Sequence, residues 1–189
     1  MHLQKKKLPA TLSKKDVREF LYYLQSRGHA GSSLNVAHNA LRFMMIEILH
    51  KGMYLKIKFS KIPKKKPEFL TKDEISCLLS CIKNEKHFLI VALMYGAGLR
   101  VSEVTKLKYG DLDFDNAIGW VKNGKGGKDR PFIIPQKIIH SLKKLADHNQ
   151  TYLFNGRNGP ISIKSAQMIV ANAGKKAGIK KHVHPHMLR

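Results

Sequence analysis

Ile118-Gly119-Trp120-Val121, the turn Asn123-Gly124-Lys125-Gly126-Gly127-Lys128, and Pro131-Phe132-Ile133-Ile134 make up the stretch that decides the fold. Two short β-prone runs flank a glycine-rich turn, the pattern of a β-hairpin. Most of the chain around it has helical spacing instead. Downstream, Pro135 closes the hairpin, a helix is expected over about 137–147, residues 152–154 read as a short extended piece, and an amphipathic helix spans about 163–177. Upstream, Thr71 and Glu74 form a capping box before a helix carrying Ile75, Leu78, Leu79 and Ile82. A strongly apolar helix over about 86–95 is broken by Gly96-Ala97-Gly98, and a short helix starts at Val101. The expected fold class is mainly α with a small antiparallel β-hairpin or sheet (α+β).

The first sixty residues read as two helices. Ser13 ends an N-cap signal, and Val17, Phe20, Leu21 and Leu24 share one face. After the turn at residues 28–31, Ser32 or Ser33 can cap a second helix whose apolar face is Val36, Ala40, Phe43, Met44, Ile48 and Leu49, ending at Gly52. Lys61-Ile62-Pro63-Lys64-Lys65-Lys66-Pro67 has the composition of an interdomain linker. Two domains are expected: 1–62, helical; 63–68, linker; and 69–189.

The chain has 189 residues, 35 Lys and Arg against 13 Asp and Glu, and a net charge of +22. Such an excess repels itself unless it meets a polyanion, and nucleic acid is the leading partner. Residues 1–66 carry a net +12 and residues 67–189 a net +10, so the charge is not a basic tail but belongs to both halves. That distribution suits a clamp around a duplex. No apolar run reaches the roughly 18 residues of a membrane helix, and the basic start lacks the apolar stretch of a secretory signal. Cys77 and Cys81 are the only cysteines, which points to a reducing compartment; four apart on a helix, they read as core or half-buried thiols.

Four clusters carry chemistry, one of them the basic first half with its linker, whose lysines can meet phosphates without special geometry. Arg100, in Gly98-Leu99-Arg100-Val101-Ser102-Glu103, follows a glycine break at the mouth of an apolar helix. A guanidinium there can face a phosphate bidentately, or simply pair with Glu103 three residues on. The hairpin turn places Lys125, Lys128 and Arg130 within six residues; one cation can serve as a proton donor and the others as phosphate clamps, or the tip can be merely solvated. It is not a P-loop, because the glycine spacing and the Lys-Ser/Thr ending are absent. In His182-Val183-His184-Pro185-His186-Met187-Leu188-Arg189, alternating histidines suggest a metal, but no acidic or thiol group completes a shell. The better reading is a loop into a helix start, with His186 and Arg189 one turn apart. Asp111, Asp113 and Asp115 read as a turn or strand edge, since the glycine and terminal glutamate of a calcium loop are missing.

Taken together, Gly98–Glu103, the Asn123–Arg130 turn and the His184–Arg189 run resemble, in order and spacing, the motifs of the tyrosine recombinase (phage integrase) family, with the nearest likeness among its Xer-type members. The first half resembles that family's helical core-binding domain, without its first helix. The resemblance implies a two-domain DNA clamp that exchanges strands site-specifically through a 3′-phosphotyrosine intermediate. It implies that Arg100 and Arg189 grip the scissile phosphate, Lys125 protonates the leaving 5′-oxygen, His186 assists as general acid/base, and Glu103 buttresses the arginine. Lys128 and Arg130 become backbone-phosphate contacts, while the linker lysines Lys64, Lys65 and Lys66 read, from composition alone, as a solvated linker or as phosphate contacts. Double-stranded DNA and further recombinase protomers are the implied partners, with no cofactor, no metal, no membrane and a cytoplasmic, nucleoid-associated location.

The chain also departs from the pattern in the placement of its tyrosines. The family's nucleophilic tyrosine lies well downstream of the His-x-x-Arg motif. All six tyrosines here (Tyr22, Tyr23, Tyr54, Tyr95, Tyr109 and Tyr152) lie upstream of it. The catalytic domain is therefore expected to be truncated after that motif and inactive alone. A non-catalytic duplex-binding remnant or regulator is the alternative function.

Overall fold

The computed structural model describes residues 8–51, 68–124, 126–145, 151–157 and 159–189. The chain divides into two compact units, Met1–Lys66 and Pro67–Arg189.

In the first unit, helix α1 (Lys14–Ser26) is started by a capping box. Ser13 Oγ accepts the Asp16 N–H at 3.3 Å, and the Asp16 carboxylate accepts the Ser13 N–H at 2.8 Å, which satisfies two amide donors the helix cannot bond internally. Helix α2 (Gly31–Phe43) runs on into a single π-helical stretch, Met44–Ile48. Among the described residues no side chain caps α2: it begins at Gly31, so Ser32 and Ser33 lie inside its first turn instead of before it.

The apolar face of α2 follows expectation at Met44 and Leu49 and differs from it elsewhere. Val36, Phe43 and Ile48 are exposed, at 70%, 60% and 59%. The small core is Val17, Leu21 and Met45, with Leu12, Ala37, Leu41, Met44 and Leu49 packed around it. Ala37, Leu41 and Met44 have the same helical period as Val36, Ala40 and Phe43, one residue out of phase. Periodicity gives the spacing of a stripe but does not choose between two adjacent ones, and here α1 packs on the stripe with the small Ala37.

The second unit is built around α4 (Glu85–Gly96), in which every residue from Leu89 to Met94 is buried. A helix apolar all round needs neighbours on all sides. These are α3 (Lys72–Ser80), α5 (Val101–Lys106), α6 (Gln136–Leu145) and α7 (Ile163–Lys176). Thr71 and Glu74 form the expected capping box of α3. Cys77 is exposed and Cys81 half-buried, both free thiols; Cys77 is thus not a core residue, because α3 turns Ile75 and Leu78 inward.

The hairpin is part of a three-stranded antiparallel sheet in the order β1 (Leu112–Asp113), β2 (Ile118–Val121), β3 (Arg130–Ile133). The register sets Ile118 opposite Ile133, Gly119 opposite Phe132, Trp120 opposite Pro131 and Val121 opposite Arg130. Val121 and Phe132 face the core, whereas Ile118, Trp120 and Ile133 face outward. Val183, Met187 and Leu188 join the same core as Leu99 and Val104, so the 3-10 turn Pro185–Leu188 is anchored on the unit that carries Arg100. The fold is thus mainly helical with a small antiparallel sheet. Among the described residues no helix is long and apolar enough to cross a membrane.

Candidate functional site

Arg100 sits immediately before α5, in an extended conformation, and Glu103 occupies the third position of that helix. The Glu103 carboxylate folds back to close the first turn, with Oε2 accepting the Arg100 N–H at 2.8 Å. Its Oε1 also accepts from Arg100 Nη1 at 2.7 Å. A second guanidinium arrives from β3: Arg130 Nη2 donates to Glu103 Oε2 at 2.7 Å. The Glu103 side chain is only 5% exposed, while those of Arg100 and Arg130 are 34% and 36% exposed.

One buried carboxylate therefore holds two half-exposed guanidinium groups, and the trio carries a net positive charge. Burial pushes the Glu103 carboxyl upward. The Arg100 N–H and the two guanidinium groups outweigh that and hold it below the ordinary carboxylate range. Each arginine keeps N–H donors that this carboxylate does not use, so the outward side of the trio can receive an oxyanion. Arg100 is thus paired with Glu103, as one of its two sequence readings has it, and keeps part of its side chain exposed.

The loop between β2 and β3 is fixed at both ends. At its far end is the Arg130–Glu103 pair. At its near end Lys122 pairs with Asp111 at 2.9 Å, and Asp111, 7% exposed, also accepts the Lys108 N–H at 3.0 Å. The Asp111 carboxylate raises the Lys122 pKa above its usual value. Within the loop, Gly124 N–H donates to the Lys128 carbonyl at 3.1 Å, Gly127 N–H to the Gly124 carbonyl at 2.9 Å, and Asn123 N–H to Asp129 Oδ1 at 2.8 Å.

The remaining sequence-predicted residues are placed as follows. Lys128 is exposed. Lys125, Lys64, Lys65 and Lys66 lie outside the described residues. His186 is exposed on the Pro185–Leu188 turn, its ring 6.1 Å from that of His184, and Arg189 is exposed just beyond. Neither joins the Glu103 ion pairs among the described residues. There, too, no group of three or more His, Cys, Asp or Glu side chains is placed to hold a metal ion. Asp113 caps its own turn through the N–H groups of Asp115 and Asn116, at 3.1 and 3.0 Å.

The structure thus brings together Arg100, Glu103 and Arg130, and adds the Asp111–Lys122 pair, which sequence reasoning missed. Local sequence carries no usable signal for it: Asp113, between Leu112 and Phe114, is exposed, whereas Asp111, between Gly110 and Leu112, is buried.

Against known proteins, the phage integrase family model matches residues 68–189. The chain is 38% identical over 183 residues to the tyrosine recombinase XerA of Pyrococcus horikoshii, covering 93% of this chain and 63% of the relative. It is 34% identical over 195 residues to a tyrosine recombinase of Thermosipho africanus, covering 94% and 68%. The chain therefore spans about two thirds of the length of these curated relatives. Among solved structures it is similar to that of XerA recombinase, with a TM-score of 0.60 at 26% identity over 96% of this chain and 68% of that one. It also shares the fold of a lambda integrase dimer bound to a COC′ core site, with a TM-score of 0.72 at 18% identity over 97% and 70%.

Proposed function

This chain belongs to the phage integrase family, and on that premise we propose that it is the body of a site-specific DNA recombinase whose full-length form exchanges strands through a 3′-phosphotyrosine intermediate. The observation that carries the reading is the Arg100 guanidinium, half-exposed and held along one edge by a buried carboxylate.

Attack of a tyrosine oxygen on a DNA phosphorus forms the P–O(Tyr) bond and breaks the P–O5′ bond, with charge building on the non-bridging oxygens between. Arg100 and Arg189 stabilise that charge where it develops. Lys125 gives its proton to the departing 5′-oxygen, and His186 assists proton transfer. Glu103 fixes the orientation of Arg100, and no metal or organic cofactor is needed. Lys128 and the linker lysines Lys64, Lys65 and Lys66 contact backbone phosphates, which add affinity without sequence information. The partners are duplex DNA and further protomers on the same DNA, and the working compartment is the cytoplasm. The first unit is the core-binding domain and the second the catalytic domain. None of the six tyrosines is assigned as nucleophile.

The test joins residue 189 to the segment that follows the matched region in the Pyrococcus horikoshii relative and incubates the chimera with a duplex carrying that relative's target site. A denaturant-resistant, protease-sensitive DNA adduct linked through tyrosine that disappears with Arg100→Lys supports the reading. Salt-dependent duplex binding that never yields an adduct leaves a DNA-binding module and rejects the enzyme.

A further inference from the structure

The sequence reading makes Arg130 a phosphate contact, but its geometry gives it other work. Arg130 is the first residue of β3 and pairs across the ladder with Val121, the last of β2, so it stands where the loop 122–129 re-enters the sheet. Its Nη2 reaches Glu103, 27 positions earlier, at 2.7 Å. Gly124, inside the loop, lies near the same carboxylate: an added Cβ would stand 3.9 Å from Glu103 Oε1 and 2.8 Å from the Lys128 carbonyl. The loop is therefore tied to Glu103 where it re-enters the sheet, at Arg130, with Gly124 close by. Opposite, Lys122 and the buried Asp111 secure the other end.

The electrostatics favour the same assignment. A buried carboxylate left without a counter-charge is strongly unfavourable. If Arg100 turns donors toward a phosphate, Arg130 keeps Glu103 ionised and compensated. We propose that Arg130 is a positioning residue, not a phosphate ligand: through Glu103 it sets the loop that carries Lys125 against Arg100. The link to Lys125 chemistry rests on the recombinase reading; the link from Arg130 to loop order does not.

The experiment uses the full chain and measures two things. Amide hydrogen exchange reads loop order at Gly124 and Gly127, and binding to a labelled duplex is titrated across salt. Arg130→Met is expected to speed exchange at these two amides about tenfold or more while leaving the salt slope of binding unchanged. Arg130→Lys, which restores a cation opposite Glu103, returns most of the protection. Unchanged exchange together with a slope reduced by about one phosphate contact makes Arg130 a DNA ligand and overturns the proposal. If Arg130→Met loosens the whole second unit, Arg130→Lys decides: loop protection restored supports the strut, and a loop as open as with methionine overturns it. Absence of duplex binding by the unaltered chain counts against the recombinase reading alone and leaves the exchange result standing.

Discussion

Phe132 lies across the β2–β3 ladder against Gly119, its ring filling the space where a side chain at position 119 would go: a Cβ there would come 2.2 Å from Cζ. Since the ring is 6% exposed and belongs to the main core, it has little room to withdraw. Gly119→Ala is therefore expected to destabilise the second unit by about 1–3 kcal/mol, the usual range for overpacking. Gly110→Ala, where nothing lies within 4 Å, should change stability by less than about 0.5 kcal/mol. Thermal denaturation of the two variants makes the comparison.

Acid should loosen the second unit partly through Glu103. Its folded pKa is depressed, so its contribution is present above the unfolded carboxylate pKa of about 4.3 and is lost as pH falls through the folded value. Glu74, lowered first by Lys181, and Asp113, lowered first by Asn116, act in the same direction. Urea midpoints from pH 7 down to 3 should fall less steeply for Glu103→Gln than for the unaltered chain. Parallel curves would show that Glu103 titrates alike in the folded and unfolded states.

Ser13→Ala should cost the first unit about 1 kcal/mol, because it removes the acceptor for the Asp16 N–H at the start of α1. Among the described residues the buried core that α1 helps to build is Val17, Leu21 and Met45. Helix content followed by circular dichroism during thermal unfolding reads the loss.

If the chain binds duplex DNA through many Lys and Arg contacts, raising salt from about 50 to 200 mM should weaken binding by on the order of 10³-fold or more. Fluorescence anisotropy with a labelled duplex measures it. A flat response would mean that the +22 charge serves something other than phosphate contact.

In the chimera, Lys125→Ala should slow adduct formation by two or more orders of magnitude, the usual contribution of a general acid, with duplex binding close to unchanged. Equal losses in both would make Lys125 a DNA contact without a role in proton transfer.

The helices and the hairpin were legible because their signals are local. Thr71 with Glu74, Ser13 before α1, and the run after Val101 each announce an element within a few residues. The face of α2 was legible at Met44 and Leu49 but not before them, because Val36-Ala40-Phe43 and Ala37-Leu41-Met44 have equal periodicity and only α1 chooses between them. Strand β1 is two residues long and pairs only because β2 is there, so nothing in Leu112-Asp113 alone could announce it. Arg100 and Glu103 were legible as neighbours on one helical turn. The capture of Glu103 by Arg130 was not, since it spans 27 positions and depends on how β3 folds back. The likeness to tyrosine recombinases came from motif order, and the family match to residues 68–189 agrees with it.

Trp120 projects from the outward face of β2, 47% exposed and opposite Pro131, one residue from Arg130. It is the sole tryptophan of the chain. The protein therefore carries, beside its six tyrosines, one indole fluorophore, already sited at the base of the lysine-bearing loop. Selective excitation of that indole gives an optical record of the hairpin alone, free of any label or of signal from the rest of the fold.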